Sequence, residues 1–229
     1  MEHVDILTGR PIYTMAGFFD ADADTYDETQ RYWDTDGFYE KISAQLTGRS
    51  PLVLDLGIGT GYELDLLFER APGCRVVGLD ISEKMLAHCR AKVPDRRRLA
   101  LKRKSLFDYE YPSHAYDYVI AIATMHHFLQ ETRGFLYRKI LATLKPGGRY
   151  IEADKFAPAD LEATVISNYR RRMNTLPDGT VPGTYHIDVP LAVATVTNLL
   201  RDCGYRNVRL PYDAPERDSA IISATSPDQ

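Results

Sequence analysis

The feature that most constrains this chain is a short apolar run that ends in alternating glycines, Val53-Leu54-Asp55-Leu56-Gly57-Ile58-Gly59-Thr60-Gly61. A strand that enters such a turn and leaves as a helix brings bare backbone close to a ligand above the strand end, where a β-carbon would clash. The flanking sequence continues in the same rhythm. Residues 51–56 read as a strand, 60–70 as an amphipathic helix, 75–79 as a strand, and 82–92 as a helix capped by Ser82. Strands follow at 99–104 and 116–123, then a helix at 135–144 that Pro146-Gly147-Gly148 ends, then a fifth strand at 149–153. This alternation predicts an α/β fold, a mostly parallel Rossmann-like sheet with helices on both faces.

Outside the alternation the pattern changes. The first fifty residues carry no strand pattern, and Tyr32, Trp33, Phe38, Tyr39, Ile42 and Leu46 fall near helical spacing, broken at Thr35-Asp36-Gly37. After Asp154 come a predicted helix at 158–173 and a Pro/Gly-rich loop. A helix at 191–203, closed by Gly204, and strands at 207–210 and 220–224 complete the chain, the last two as a hairpin-like pair at the sheet edge. The expected organisation is one domain over 1–229: a helical cap (1–48), a cofactor-binding core (49–154), a lid insertion (155–190) and a C-terminal helix with its strand pair (191–229).

The chemistry concentrates at strand ends. Asp55 stands just before the glycines, where a carboxylate would oppose the phosphates of a dinucleotide but suits a cationic ligand. Asp80 ends the second strand, where a carboxylate can accept both hydroxyls of a ribose. A nicotinamide-dependent oxidoreductase would share the loop and this acid, but its usual Gly-x-Gly-x-x-Gly spelling fails because Tyr62 holds the last place.

The glycine run, Gly78-Leu79-Asp80-Ile81-Ser82, Tyr116-Asp117-Tyr118-Val119, Met125-His126-His127-Phe128 and Leu144-Lys145-Pro146-Gly147-Gly148 resemble, in order and spacing, the motifs of class I S-adenosylmethionine (SAM)-dependent methyltransferases. The resemblance covers residues 50–154 and is similar to small members of the tRNA uridine carboxymethyltransferase and ubiquinone types. It implies a seven-stranded sheet, SAM as cofactor, and methyl transfer by in-line displacement. It implies that Gly57, Gly59 and Gly61 pass under the methionine part, with Thr60 beside them, that Asp80 holds the ribose, and that Ile81 and Met85 pack on adenine. Ser105 stands where many members carry an acid, so Ser105, the Leu106 amide or Asp108 is left to meet the adenine. Ala123 ends the fourth strand under the cofactor, and Tyr39, with Tyr26, Asp27, Trp33 and Phe38, is expected to roof it. His127 and His186 are the candidate bases, and Tyr13, Tyr39, Tyr185 and Phe156 candidate pocket walls. Arg170-Arg171-Arg172 reads either as an anion grip or, more simply, as a solvated helix face.

Composition narrows the partners. The net charge of −4 and the lack of a long basic stripe argue against nucleic acid and for a small-molecule acceptor, with a SAM-analogue-dependent tRNA-modifying enzyme as the alternative. Three scattered cysteines give neither a disulfide framework nor a metal motif, and no metal is expected. Without a signal-like start or an apolar run of about 18 residues, a cytoplasmic location with no membrane partner is expected, as monomer or homodimer.

Overall fold

A computed structural model describes residues 3–34, 36–93 and 95–228. The side chains of Tyr32 and Trp33 and the whole of Thr35, all invoked above, lie outside the described residues. The elements run β1 (His3–Val4), β2 (Pro11–Ile12), α1 (Met15–Asp22), α2 (Tyr26–Trp33), α3 (Phe38–Ser43), β3 (Leu52–Leu56), α4 (Leu64–Arg70), β4 (Arg75–Asp80), α5 (Glu83–Lys92), β5 (Leu99–Arg103), β6 (Tyr116–Ile122), α6 (Gln130–Thr143), β7 (Leu144–Lys155), α7 (Glu162–Met173), α8 (Val193–Asp202), β8 (Arg206–Ala214) and β9 (Ser219–Thr225).

β3 is buried along nearly its whole length because both faces are covered, which is why its sequence is a continuous apolar run. Its neighbours build a seven-stranded sheet in the order β5-β4-β3-β6-β7-β9-β8. The first five strands pair parallel, and β9 pairs antiparallel with both β7 and β8. Side chains alternate between two cores. Leu54, Leu56, Val119 and Ala121 join Leu136, Tyr137 and Leu200 on one face, while Val53, Ile120 and Ile151 join Ile42, Leu67 and Leu86 on the other.

The chain leaves β3 toward β4 and β5, then returns to place β6 on the opposite side of β3. The order in which strands are added to the sheet therefore reverses between β3 and its parallel neighbour β6, with Leu56 level with Ala121. The crevice outside the carboxyl ends of these two strands is where open α/β sheets bind ligands.

Besides end shifts of up to four residues in α4, α7, α8 and β8, three features depart from the sequence reading. A two-stranded ladder, β1–β2, occupies the start where no strand is expected; two residues per strand are too short to show a period. α6 begins at Gln130 rather than 135, because Arg133, fully buried, is held by Glu152 Oε1 at 3.1 Å and bonds the Phe128 carbonyl at 2.9 Å. β7 begins at Leu144, ahead of the Pro-Gly-Gly sequence, which it carries as an irregular stretch with Gly147 at φ +69°.

Beyond β7 the insertion folds over the strand ends. Ile187, Val189, Tyr169 and Leu176 bury against Ile12 of the N-terminal segment. The two segments are also stitched by backbone: Met15 N donates to Thr184 O at 2.8 Å and His186 N to Tyr13 O at 3.0 Å, around an antiparallel bridge between Thr14 and Tyr185.

Candidate active site

The glycine turn is shaped by what its residues approach. Gly57, Gly59 and Gly61 all have positive φ. A β-carbon on Gly57 would lie 2.4 Å from Thr124 Oγ1, which is itself fixed by bonds to the carbonyls of Leu56 and Ile122. Gly61 has a different reason: its β-carbon would meet Leu64 at 2.6 Å and Cys89 at 2.8 Å, so it lets α4 and α5 approach the sheet rather than facing the crevice.

Asp80 closes this turn. Its Oδ2 accepts from Gly59 N and its Oδ1 from Ser82 N, both at 2.8 Å. Burial pushes its carboxyl upward against the pull of these amides. One lone pair on each oxygen stays available to a pair of vicinal hydroxyls.

A cleft of about 720 Å³ opens above. Gly57, Gly59, Asp80 and Ile81 form one side, with Lys104, Ser105, Leu106 and Asp108 at the far end. Phe107, Phe128 and Phe135 make an aromatic wall, and residues 181–184 of the insertion, with Thr14, Met15 and Phe19, cover it. Ser105 is turned toward its own loop, its Oγ accepting from Phe107 N at 3.0 Å.

A second chamber of about 310 Å³ adjoins the cleft and shares Phe19, Tyr26, Ala123 and His127 with it. Its other walls include Gln30, Tyr39, His126, Asp154, Lys155, His186 and Asp188. Ala123 sits at the junction with φ +47°, a strained setting for a non-glycine residue and one that turns the chain sharply under the cleft. Tyr39 points its hydroxyl at Gln30 Oε1, 2.5 Å away.

The polar floor of this chamber is a histidine–carboxylate cluster. Asp154, buried, accepts from the amides of Met125 (2.8 Å) and His126 (3.0 Å) and lies 2.5 Å from His126 Nδ1. Burial opposes its ionisation, but the His126 and Arg133 charges and these bonds hold Asp154 below the usual carboxylate range. His127 is pushed down to about 4, first by burial and then by the charge of His126, so its ring is neutral at neutral pH. His186, stacked on Phe18 at 3.5 Å between centroids, is also lowered by burial.

Gly57, Gly59, Asp80, Ile81, Ser105, Leu106, Ala123 and His127 thus line the cleft, and Tyr39, Ala123, His127 and His186 line the chamber. Asp55, Thr60, Gly61 and Met85 line neither; they lie buried behind the wall. Thr60 Oγ1 donates to Asp27 Oδ1 at 2.6 Å, which ties the N-terminal helices to the glycine turn. Asp55 is buried with Glu63: burial, then the Glu63 charge, raises Asp55 well above its ordinary value, and burial pushes Glu63 up to about 7. Tyr13 is exposed, Phe156 belongs to the core, and neither they nor Tyr185 wall the chamber. The arginine run is a surface feature, with Arg172 paired to Asp5 at 3.0 Å and Arg170 near Glu131 at 3.6 Å.

Phe18, Phe19, Gln30, Thr124, Lys155 and Asp188 also face the two spaces, and no motif marked them. Asp188 had a usable signal: it stands two residues after the candidate base His186, and both side chains line the chamber.

Residues 53–148 match the family model described as a methyltransferase domain. Over 187 residues the chain is 27% identical to the carboxy-S-adenosyl-L-methionine synthase of Wolinella succinogenes, covering 79% of this chain and 70% of that one. Over 113 residues it is 29% identical to a protein of Mycolicibacterium smegmatis named as a probable SAM-dependent methyltransferase, covering 49% of this chain but only 40% of that one. Among solved structures it superposes on DhpI bound to S-adenosylhomocysteine with a TM-score of 0.70 at 19% identity, covering 94% of this chain and 96% of that one.

Proposed function

Because this chain belongs to the class I SAM-dependent methyltransferase superfamily and takes SAM as its cofactor, we propose that it methylates a small-molecule acceptor held in the inner chamber. The observation that carries this reading is the chamber itself. It has the volume of a small metabolite, it is walled by Tyr26, Tyr39 and the histidine cluster, and it meets the cofactor cleft at Ala123.

Asp80, Ile81, Ser105 and Leu106 would hold the adenosyl end of the cofactor, and Gly57, Gly59 and Ala123 its methionine end. The sulfonium already activates the methyl group, so the protein's contribution is alignment and exclusion of water. A lone pair of the acceptor forms the new bond to the methyl carbon as the carbon–sulfur bond breaks. The bonding pair stays on sulfur, giving the neutral thioether product. When the acceptor is a hydroxyl its proton must also leave, and His127 and His186 are the side chains on the chamber wall placed to handle it. The acidic net charge and the absence, among the described residues, of a helix long and apolar enough to cross a membrane fit an acceptor taken from solution.

The test is methyl transfer from labelled SAM into a small-molecule extract, run beside bulk tRNA. Label in the small-molecule fraction is expected. Salt-sensitive labelling of tRNA with none in that fraction would overturn the reading.

A further inference from the structure

Three histidines from two distant parts of the chain converge on one carboxylate oxygen of Asp188. His127 Nδ1 lies 3.2 Å from Asp188 Oδ1, His126 Nε2 3.6 Å and His186 Nε2 3.7 Å. None of these makes a hydrogen bond to that oxygen, which is inaccessible to solvent. His127 is 5% exposed, and neither of its ring nitrogens has a hydrogen-bond partner. An unpaired imidazole and an unpaired carboxylate oxygen buried side by side are costly unless something positive sits between them.

The tautomer of His126 sharpens the point. Asp154 receives two backbone amides and faces Nδ1 at 2.5 Å, so Nδ1 is engaged as the donor to Asp154 and Nε2 is the nitrogen left facing Asp188, where a metal ion would take the place of a proton. A carboxylate that fixes one imidazole nitrogen so that the other can ligate is the usual outer support of a metal-bound histidine. The spacing also fits. Bonds of about 2.0–2.1 Å at tetrahedral angles put neighbouring ligand atoms about 3.4 Å apart. The donor atoms of His126, His127 and Asp188 all lie within 4.8 Å of one another.

We propose that His126 Nε2, His127 Nδ1 and the Asp188 carboxylate form a binding site for a divalent first-row metal ion of the zinc type. Two imidazoles and one carboxylate are borderline donors that suit zinc, cobalt or iron(II) better than magnesium or calcium. Lys155 Nζ stands 3.8 Å from the other Asp188 oxygen, which leaves Oδ1 to the histidines. Three protein ligands leave a position open toward the chamber, the arrangement of a reactive rather than a structural ion.

The role of that ion rests on the proposed methyl transfer and deepens it. An acceptor hydroxyl bound at the open position loses its proton more readily, and His186, beside the cluster, receives it. The resulting oxyanion attacks the methyl carbon, and the sulfur leaves with the pair of the broken bond. The acceptor class is then a molecule with an ionisable hydroxyl able to bind a metal.

The experiment needs no acceptor and no turnover. The full-length protein, stripped with chelator, is titrated with zinc by calorimetry and with cobalt(II) by visible absorption. One equivalent is expected to bind, with the absorption of low-coordinate cobalt carrying nitrogen ligands. Asp188→Asn and His126→Ala, at residues that line the chamber and not the cofactor cleft, are each expected to weaken binding at least tenfold, while S-adenosylhomocysteine affinity, measured on the same samples, reports that the cofactor fold is intact. Should a variant fail to fold, the wild-type cobalt spectrum still decides. No stoichiometric binding, a spectrum of octahedral all-oxygen cobalt, or equal affinity in folded variants overturns the proposal. Metal binding without methyl transfer would count against the proposed function alone.

Discussion

The backbone amide of Gly59 donates to Asp80 Oδ2 across 2.8 Å, so the turn after β3 and the carboxylate after β4 form one unit. The two glycines of that turn that line the cleft should nonetheless respond differently to substitution. Gly57→Ala places a β-carbon 2.4 Å from a Thr124 hydroxyl that two carbonyls hold in place, at a backbone angle that disfavours any side chain. A stability loss of about 3 kcal/mol or more is expected. Gly59→Ala meets nothing closer than Tyr26 at 3.6 Å and should cost about 1 kcal/mol, the conformational term alone. Denaturant unfolding of both variants checks the order; equal losses would mean the Thr124 contact yields.

The N-terminal segment and the insertion share hydrogen bonds on both sides of the Thr14–Tyr185 bridge. Residues 181–184, with Thr14 and Met15, cover the cleft. We predict that the two segments tighten together when the cofactor binds. Hydrogen exchange with and without S-adenosylhomocysteine should show added protection in residues 13–16 and 184–187 alike. Unchanged protection in both would count against a shared cover.

The Asp55–Glu63 pair gives a pH signature. Glu63 is raised to about 7 in the folded chain, so the buried acid is comfortable when protonated. Its stabilising contribution is complete below the ordinary carboxylate range and is lost as pH rises through about 7. Glu63→Gln keeps a neutral polar group at any pH. The variant should therefore gain stability relative to wild type between about pH 5 and pH 8, read as a widening difference in unfolding midpoint. A constant difference across that range would show that Glu63 does not titrate there.

What was legible in the sequence is what lies close along the chain. Gly57, Gly59 and Asp80 were readable because each is placed by the end of its own strand, the glycines in the turn just after β3 and Asp80 as the last residue of β4. Gly61 spells the same motif but serves Leu64 and Cys89, a distinction only packing reveals. Asp55 looked like a charge for the ligand, and its burial with Glu63 removes it from the cleft wall. The start of α6 was hidden because a buried Arg133 reads as solvent-facing until its partner Glu152, on β7, is known. The chamber was least legible: His126 and His127 follow β6, His186 and Asp188 come from the insertion, and no spacing rule joins them.

We propose Asp80 as the ribose-binding carboxylate, and titration calorimetry tests it most directly. Wild-type protein should bind SAM and S-adenosylhomocysteine at about micromolar strength, and Asp80→Ala should lose about 2 kcal/mol or more, the scale of charged hydrogen bonds to both hydroxyls. That is a weakening of roughly thirtyfold or greater. Undiminished binding by a folded Asp80→Ala variant, or binding of NADH in place of SAM, would contradict the account.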